Sequence, residues 1–190
     1  MREPLVIVHH GGQTVLLARV DEHSFSSFGG PLELPVSGMP LPRALHHIAW
    51  LNHNQLKFLA PPRYIWDLPL VHPMRYSGGT LSYKFSREGI EVLELDRAEP
   101  SESWPYVGFP ELLPYHPIEV SSIVSEEWAV FAERAPNLPE EQPSEVVVLV
   151  PPPQGLGFTL WGRGGDAEGV TIVFECDLSA KKVVTYNVCS

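Results

Sequence analysis

The segment Glu145-Val146-Val147-Val148-Leu149-Val150 contains a continuous apolar run, residues 146–150, that ends at three consecutive prolines, residues 151–153. Valine favours strands, and a strand with one solvated face alternates apolar with polar residues. This run does not alternate, so it predicts a strand that is buried on both faces or lies at the centre of a sheet. The prolines end the strand, because they cannot donate to a ladder.

The remaining strand candidates form antiparallel hairpins. Pro4 to His10 and Gln13 to Val20 are separated by Gly11-Gly12, a pair that accepts the positive φ of a tight turn. Two further hairpins are predicted: Thr80–Phe85 with Ile90–Leu95, and Gly169–Asp177 with Lys181–Cys189. The fold class that follows is α+β, a predominantly antiparallel β-sheet with few short helices.

One helix is predicted over Glu126–Ala135, and it ends at Pro136. Ser125 is the expected N-cap, since its hydroxyl can accept from the exposed amides of the first turn. The helix has an apolar stripe at helical spacing; the stripe consists of Trp128, Phe131, Ala132 and Ala135.

Three segments in the first half of the chain remain to be assigned. Residues 28–42 are rich in proline and glycine and are expected to form a loop. Ala44 to Asn54 fits either a short helix or a strand that ends at Trp50-Leu51, and Gln55–Leu59 is expected to be a strand.

Length and composition favour one globular domain over residues 1–190, within which residues 1–100 and 101–190 are candidate structural halves. The hydrophobic fraction of 44% provides a sizeable core. No apolar run has the roughly 20 residues that a bilayer crossing needs, and we expect a cytoplasmic protein.

The two cysteines are expected to be reduced. In the final hairpin, Cys176 is expected opposite a residue near Val184 and Cys189 opposite one near Thr171. This register separates the thiols by about 16 Å, beyond the ~7 Å limit for a disulfide.

The negative charge is concentrated in the middle of the chain. Residues 88–145 contain 14 Asp and Glu but 2 Lys and Arg, whereas residues 1–87 contain 5 acids and 8 bases. An acidic surface of this kind excludes a nucleic-acid binder, which needs a basic face. It suits a basic protein partner.

Aromatic residues lie within this acidic stretch, in proline-rich loops where they are suited to an interface. We expect the partner to bind the acids and aromatics of residues 99–119. The predicted partner-binding residues are Glu99, Glu102, Trp104, Tyr106, Phe109, Glu111, Tyr115 and Glu119.

No local motif indicates catalysis, a cofactor or a metal. There is no Gly-x-Ser-x-Gly elbow, no complete phosphate-binding loop and no metal-ligand spacing among the eight histidines. The sequence therefore favours a non-enzymatic interaction protein, such as an immunity or antitoxin-like inhibitor. The alternatives are a hydrolase whose His and acidic residues are assembled by folding, and a small-molecule binding module in a pocket lined by tryptophans.

Two segments about 80 residues apart are similar: Phe28-Gly29-Gly30-Pro31-Leu32-Glu33-Leu34-Pro35 and Val107-Gly108-Phe109-Pro110-Glu111-Leu112-Leu113-Pro114. Together with Lys57-Phe58-Leu59-Ala60, the strand at residues 79–85 and the segment from Trp161 to Leu178, they give a motif order that resembles the YwqG-like family of bacterial proteins. The chain departs from that family at Pro61 and at Arg163-Gly164-Gly165, which follow the Phe-Leu-Ala and Trp-Gly motifs. The resemblance implies a mainly antiparallel β fold with pseudo-repeated halves, and it implies no catalytic residues.

Overall fold

The computed structural model describes residues 3–39, 45–57, 66–76, 79–96, 106–135, 138–156, 159–160 and 170–189. Within these ranges, twelve strands form one sheet in the order β4-β8-β7-β12-β11-β10-β1-β2-β9-β3-β5-β6. The neighbouring strands pair antiparallel, except for β4 and β8, which are parallel. The strands are β1 (Pro4–His10), β2 (Gln13–Arg19), β3 (Ser26–Phe28), β4 (Val36–Ser37), β5 (His46–Leu51), β6 (Leu68–His72), β7 (Thr80–Phe85), β8 (Ile90–Asp96), β9 (His116–Ser125), β10 (Val146–Val150), β11 (Val170–Asp177) and β12 (Lys182–Cys189). The described residues also form two short helices, α1 (His53–Leu56) and α2 (Trp128–Ala132), and the predicted fold class is confirmed.

The sheet curls so that β6, at one end of the strand order, packs across β7 and β12. The Tyr83 hydroxyl on β7 donates to the Pro69 carbonyl at 2.8 Å. His72 Nδ1 on β6 lies 2.9 Å from Thr185 Oγ1 on β12. The curled sheet therefore encloses the main core.

The apolar run at residues 146–150 forms β10, and its predicted position at the centre of the sheet is confirmed. Val146, Val148 and Val150 point into the main core. Val147 and Leu149 belong to a second cluster on the opposite face, together with residues of α2. Both faces of the strand are therefore covered, and all five residues of β10 are buried.

The predicted helix over Glu126–Ala135 is wrong in its extent, since α2 covers only Trp128–Ala132. Ser125 pairs with Gln13 as the last residue of β9 and does not cap the helix. Glu126 accepts from the Thr14 hydroxyl at 2.8 Å, which ties it to the sheet. The apolar stripe nevertheless packs as expected, because Phe131 is buried against the second cluster.

The ambiguous segment at residues 44–54 contains a strand, β5, which is the second of the two predicted alternatives. The strand expected over Gln55–Leu59 is wrong where it is described: residues 53–56 are helical, and the Asn52 side chain accepts from Asn54 N at the start of α1. Residues 58 and 59 lie outside the described ranges. Neither β6 nor the ten-residue β9 was predicted from the sequence.

The hairpins at both ends of the chain are confirmed. Gly11 and Gly12 have φ values of 56° and 78°, as the tight turn requires. In the final hairpin Cys176 lies opposite Val183 and Cys189 opposite Val170, one residue away from the expected register. Cys176 is a buried free cysteine.

Strands from the two ends of the sequence interleave. Strands β10, β11 and β12 lie between β7 and β1, and β9 lies between β2 and β3. The main core accordingly combines residues from Leu5 to Val183.

Candidate functional site

Five of the eight predicted partner-binding residues are described by the structure. Tyr106, Phe109, Glu111, Tyr115 and Glu119 lie in residues 106–119, which run through a loop into β9. The other three, Glu99, Glu102 and Trp104, lie outside the described residues.

Phe109 is not a surface anchor, because only 2% of it is exposed. Its ring packs edge-on against His46 and Tyr106 with centroid distances of 5.2 Å in both cases. The Arg75 guanidinium donates to the Phe109 carbonyl at 2.8 Å, which holds the loop inward. Tyr106 is partly buried against the same core. These two aromatics stabilise the loop, and the expectation that Phe109 faces a partner is corrected.

Tyr115 and Glu119, in contrast, face solvent. Tyr115 is 53% exposed and Glu119 is also exposed, whereas Ile118 between them is buried in the main core. This alternation places Tyr115, Pro117 and Glu119 on the outer face of the sheet. Glu111, in the loop before β9, is exposed as well.

Pairing of β3 with both neighbours extends this outer face. Ser27 lies opposite Pro117 on β9 and opposite Trp50 on β5. Phe25, just before β3, is 77% exposed. The outer face formed by Phe25, Ser27, Trp50, Tyr115 and Glu119 is called the β9–β3–β5 face below.

A cavity of about 270 Å³ opens on the β9–β3–β5 face. It is lined by residues of β3 and β5, by the loop at residues 29–34 and by Tyr115. Its lining combines aromatic and aliphatic side chains with a hydroxyl, an imidazole and a carboxylate. The lining residues are Ser27, Gly29, Pro31, Leu32, Glu33, Leu34, His47, Trp50 and Tyr115.

Gly29 and Gly30 allow the two walls of the cavity to meet. Gly29 N donates to the Ile48 carbonyl at 2.9 Å, and Gly30 N donates to the Leu113 carbonyl at 2.8 Å. A Cβ on Gly29 would lie 2.2 Å from the Pro114 oxygen, a distance that no side chain tolerates. Both glycines have positive φ. The two similar segments found in the sequence thus lie side by side.

His47 lines the cavity and is only 7% exposed. Neither ring nitrogen has a partner with full hydrogen-bond geometry among the described residues, although backbone groups of Gly29, Gly30 and Ala49 lie close to the ring. Burial lowers the pKa of His47, although nearby backbone groups and the Glu33 carboxylate act in the opposite direction. The ring is therefore neutral at pH 7 and presents one N–H and one lone pair. A buried polar group without a partner costs about 1–3 kcal/mol, which a suitable ligand would recover.

Asp67 fixes the position of Trp50. Its Oδ2 accepts from the indole Nε1 of Trp50 at 3.2 Å. Its Oδ1 accepts from the Asn52 side chain at 3.1 Å and from the backbone N of His53 at 2.9 Å. Asp67 thus joins the cavity wall to the start of α1.

The His53–Asp67 pair is the nearest match to the hydrolase alternative. His53 Nδ1 lies 2.8 Å from Asp67 Oδ1, a geometry that can orient an imidazole as a general base. Hydroxyls in and just before β3 have other roles: Ser24 donates to the Ile118 carbonyl, and Ser26 Oγ accepts from Asn52 N. In the described ranges, no three His, Cys, Asp or Glu side chains form a group that could hold a metal ion.

Sequence reasoning identified Tyr115 and Glu119 but not Trp50, His47 or Glu33 as members of one site. The strand pairing of β5, β3 and β9 brings these residues together across about 80 positions of sequence. Gly29-Gly30-Pro31 was the available signal, since two glycines in a proline-rich loop indicate a close backbone approach.

The chain matches no protein-family model, and the searches of curated proteins and of solved structures also give no match. In the part of the chain that the structure describes, no helix is long and apolar enough to cross a membrane.

Proposed function

We propose that this protein is a non-enzymatic interaction protein that binds a basic protein partner through the β9–β3–β5 face, as an immunity or antitoxin-like inhibitor would. The observation that carries the proposal is the combination of exposed Tyr115 and Phe25 with acidic side chains around a preformed cavity. We propose the cytoplasm as its compartment, with which the free thiol of Cys176 is consistent.

Only some acids of the acidic stretch at residues 88–145 lie on this face. Glu91 and Glu94 lie on β8, which is separated from β9 by six strands in the sheet order. Glu111 and Glu119 flank Tyr115, and Glu33, which precedes the acidic stretch, lines the cavity beside it. We therefore place the partner at the β9–β3–β5 face and not over the whole of residues 88–145.

The two kinds of residue have different roles in binding. Exposed carboxylates attract a cationic partner and raise its association rate, an effect that salt screens over about 8 Å at 0.15 M. Aromatic side chains that become desolvated in the complex slow dissociation, and an anchor of this kind contributes about 2 kcal/mol. Tyr115 is suited to the second role, because it is half exposed in the free protein and stands beside the cavity.

The test uses fluorescein-labelled hexa-arginine as the basic probe and measures its binding by fluorescence anisotropy. The site variant is Glu111→Lys/Glu119→Lys, and the matched control is Glu140→Lys/Glu141→Lys. Both variants change the net charge equally, and both replace exposed acids. We expect the site variant to weaken binding by about tenfold more than the control at low salt, and the gap to shrink as salt rises.

Equal losses in the two variants would mean that only net charge matters, and the proposed face would be wrong. Circular dichroism of each variant, with the parent spectrum as reference, excludes misfolding as the cause.

A small-molecule binding module is the second candidate, because the cavity is preformed. Its volume of about 270 Å³ lies just below the range of about 300–1,000 Å³ that is common for ligand pockets. This size fits one side-chain head group better than a whole metabolite, so the protein partner is the preferred reading.

A further inference from the structure

We propose that the cavity on the β9–β3–β5 face binds the guanidinium group of an arginine side chain of the partner, with Glu33, His47, Trp50 and Tyr115 as its recognition residues. The inference rests on the proposed function and adds to it the chemistry of the group that is recognised.

The lining selects for a cation. Among the described residues that line the cavity, Glu33 carries the only carboxylate, and none is Lys or Arg. His47 is neutral at pH 7, because its burial disfavours the imidazolium form. An anionic ligand would find no opposite charge here and would be repelled by Glu33. A cationic ligand can interact with the Glu33 carboxylate and with the lone pair of the His47 imidazole.

The unpartnered imidazole points to a ligand that donates hydrogen bonds. His47 is more than nine-tenths buried, and neither ring nitrogen has a partner with full hydrogen-bond geometry among the described residues. Backbone groups of Gly29, Gly30 and Ala49 favour the protonated ring, so they act as acceptors for a ring N–H, and the other nitrogen offers its lone pair to a donor. Guanidinium carries five N–H donors and no acceptor, so it can serve His47 and the Glu33 carboxylate at once. Binding would remove the cost of a buried imidazole whose acceptor nitrogen is unused.

The aromatic walls favour guanidinium over ammonium. Trp50 and Tyr115 both line the cavity, and a planar, weakly hydrated guanidinium stacks on aromatic faces as well as forming cation–π contacts. An ammonium group is compact and strongly hydrated, and it loses more solvation when it enters such a cavity. Asp67 holds the indole of Trp50 in position before a ligand binds.

Three blocked tripeptides test the inference: acetyl-Gly-Arg-Gly-amide and its analogues with lysine or citrulline at the central position. Citrulline keeps the shape of arginine but lacks its charge. Binding is measured by NMR titration of the His47 imidazole nitrogens and the Trp50 indole N–H. We expect saturable shifts with arginine, at least about tenfold weaker affinity with lysine, and no saturation with citrulline at ~10 mM.

Two variants form the matched control pair. Glu33→Gln removes the cavity carboxylate, whereas Glu141→Gln makes the same change away from the cavity, in the segment before β10; both glutamates are exposed. We expect Glu33→Gln to weaken arginine-peptide binding by about tenfold and Glu141→Gln to leave it within about twofold. Unchanged backbone amide spectra show that both variants remain folded.

The outcomes separate this inference from the proposed function. Equal affinity for the arginine and lysine peptides, or no shift at His47 with either, would overturn the guanidinium assignment. The face would stand in that case if hexa-arginine binding still depended on Glu111 and Glu119. Free arginine that binds more tightly than the blocked peptide would also overturn it, because the site would then serve a free small molecule. If the arginine peptide showed no preference over the lysine peptide and hexa-arginine binding did not depend on Glu111 and Glu119, the proposed function itself would be refuted.

Discussion

Replacing Gly29 with alanine tests whether the close approach of two loops builds the cavity, and Gly11→Ala is its matched control. Both glycines have positive φ, 66° for Gly29 and 56° for Gly11. An alanine at such a φ costs about 1–2 kcal/mol, and this cost is common to both variants. The environments differ: a Cβ on Gly11 meets no atom within 4 Å, whereas one on Gly29 lies 2.2 Å from the Pro114 oxygen.

The contact at Gly29 adds to the conformational cost. Non-bonded heavy atoms pack best when they are about 3.5–4.0 Å apart. The chain at Pro114 must therefore move away from the new Cβ by more than ~1 Å. Overpacking of this kind costs about 1–3 kcal/mol. The same movement strains the bond from Gly30 N to the Leu113 carbonyl, a contact of about 1 kcal/mol. We expect Gly29→Ala to lose about 2–5 kcal/mol of unfolding free energy and Gly11→Ala about 1–2 kcal/mol.

Urea unfolding followed by tryptophan fluorescence gives both free energies. Because Tyr115 follows Pro114 directly, Gly29→Ala should also weaken binding of the arginine peptide, while Gly11→Ala should not. If the two variants lose equal stability and bind the peptide equally well, the close approach at Pro114 does not shape the cavity.

Three further predictions concern the core and the support of the site. Burial lowers the pKa of His72 from its ordinary 6.5 to about 3. As pH falls below about 6.5, the unfolded chain takes up a proton at His72 that the folded protein does not, so the free energy of unfolding decreases, by about 2.7 kcal/mol at pH 4.5. His72→Gln should reduce this pH dependence in urea unfolding. An unchanged slope would contradict the burial effect. Burial raises the pKa of the Cys176 thiol, so it should resist a thiol reagent in the native protein, and both cysteines should react after denaturation without reductant; a missing thiol would indicate a disulfide. Asp67→Asn keeps only one of the two carboxylate oxygens that accept hydrogen bonds, and it should weaken arginine-peptide binding by about threefold or more. Equal binding by the variant and the parent would show that Trp50 is held by packing alone.

Much of the sheet could be predicted because apolar patterns and turn residues decide it locally. The run at residues 146–150 predicted the central strand, and Gly11-Gly12 predicted the first hairpin. Strand β9 was not predicted, since it begins beside Pro117 and carries serines and exposed apolar residues in its second half. Helix α2 is short because Ser125 and Glu126 form bonds with β2 that the helical pattern does not reveal.

The site could be predicted only in part, because it is assembled by pairing between distant strands. Tyr115 and Glu119 stand out as an aromatic and an acid in a charged stretch. Phe109 has the same local signature but fills the core, since Arg75 and His46 hold it inward. Trp50 and His47 reach the site only through the pairing of β5 with β3. A single sequence has no local pattern that encodes this pairing.

The most direct measurement is an NMR map of backbone amide shifts as unlabelled hexa-arginine is added to the folded protein. We expect the largest saturable shifts in residues 25–34, 47–50 and 111–119, around the β9–β3–β5 face. The exposed acids of β8, Glu91 and Glu94, serve as the internal reference and should shift little. Shifts that centre on β8, or that spread evenly over all acidic segments, would contradict the claim that this face recognises a basic partner.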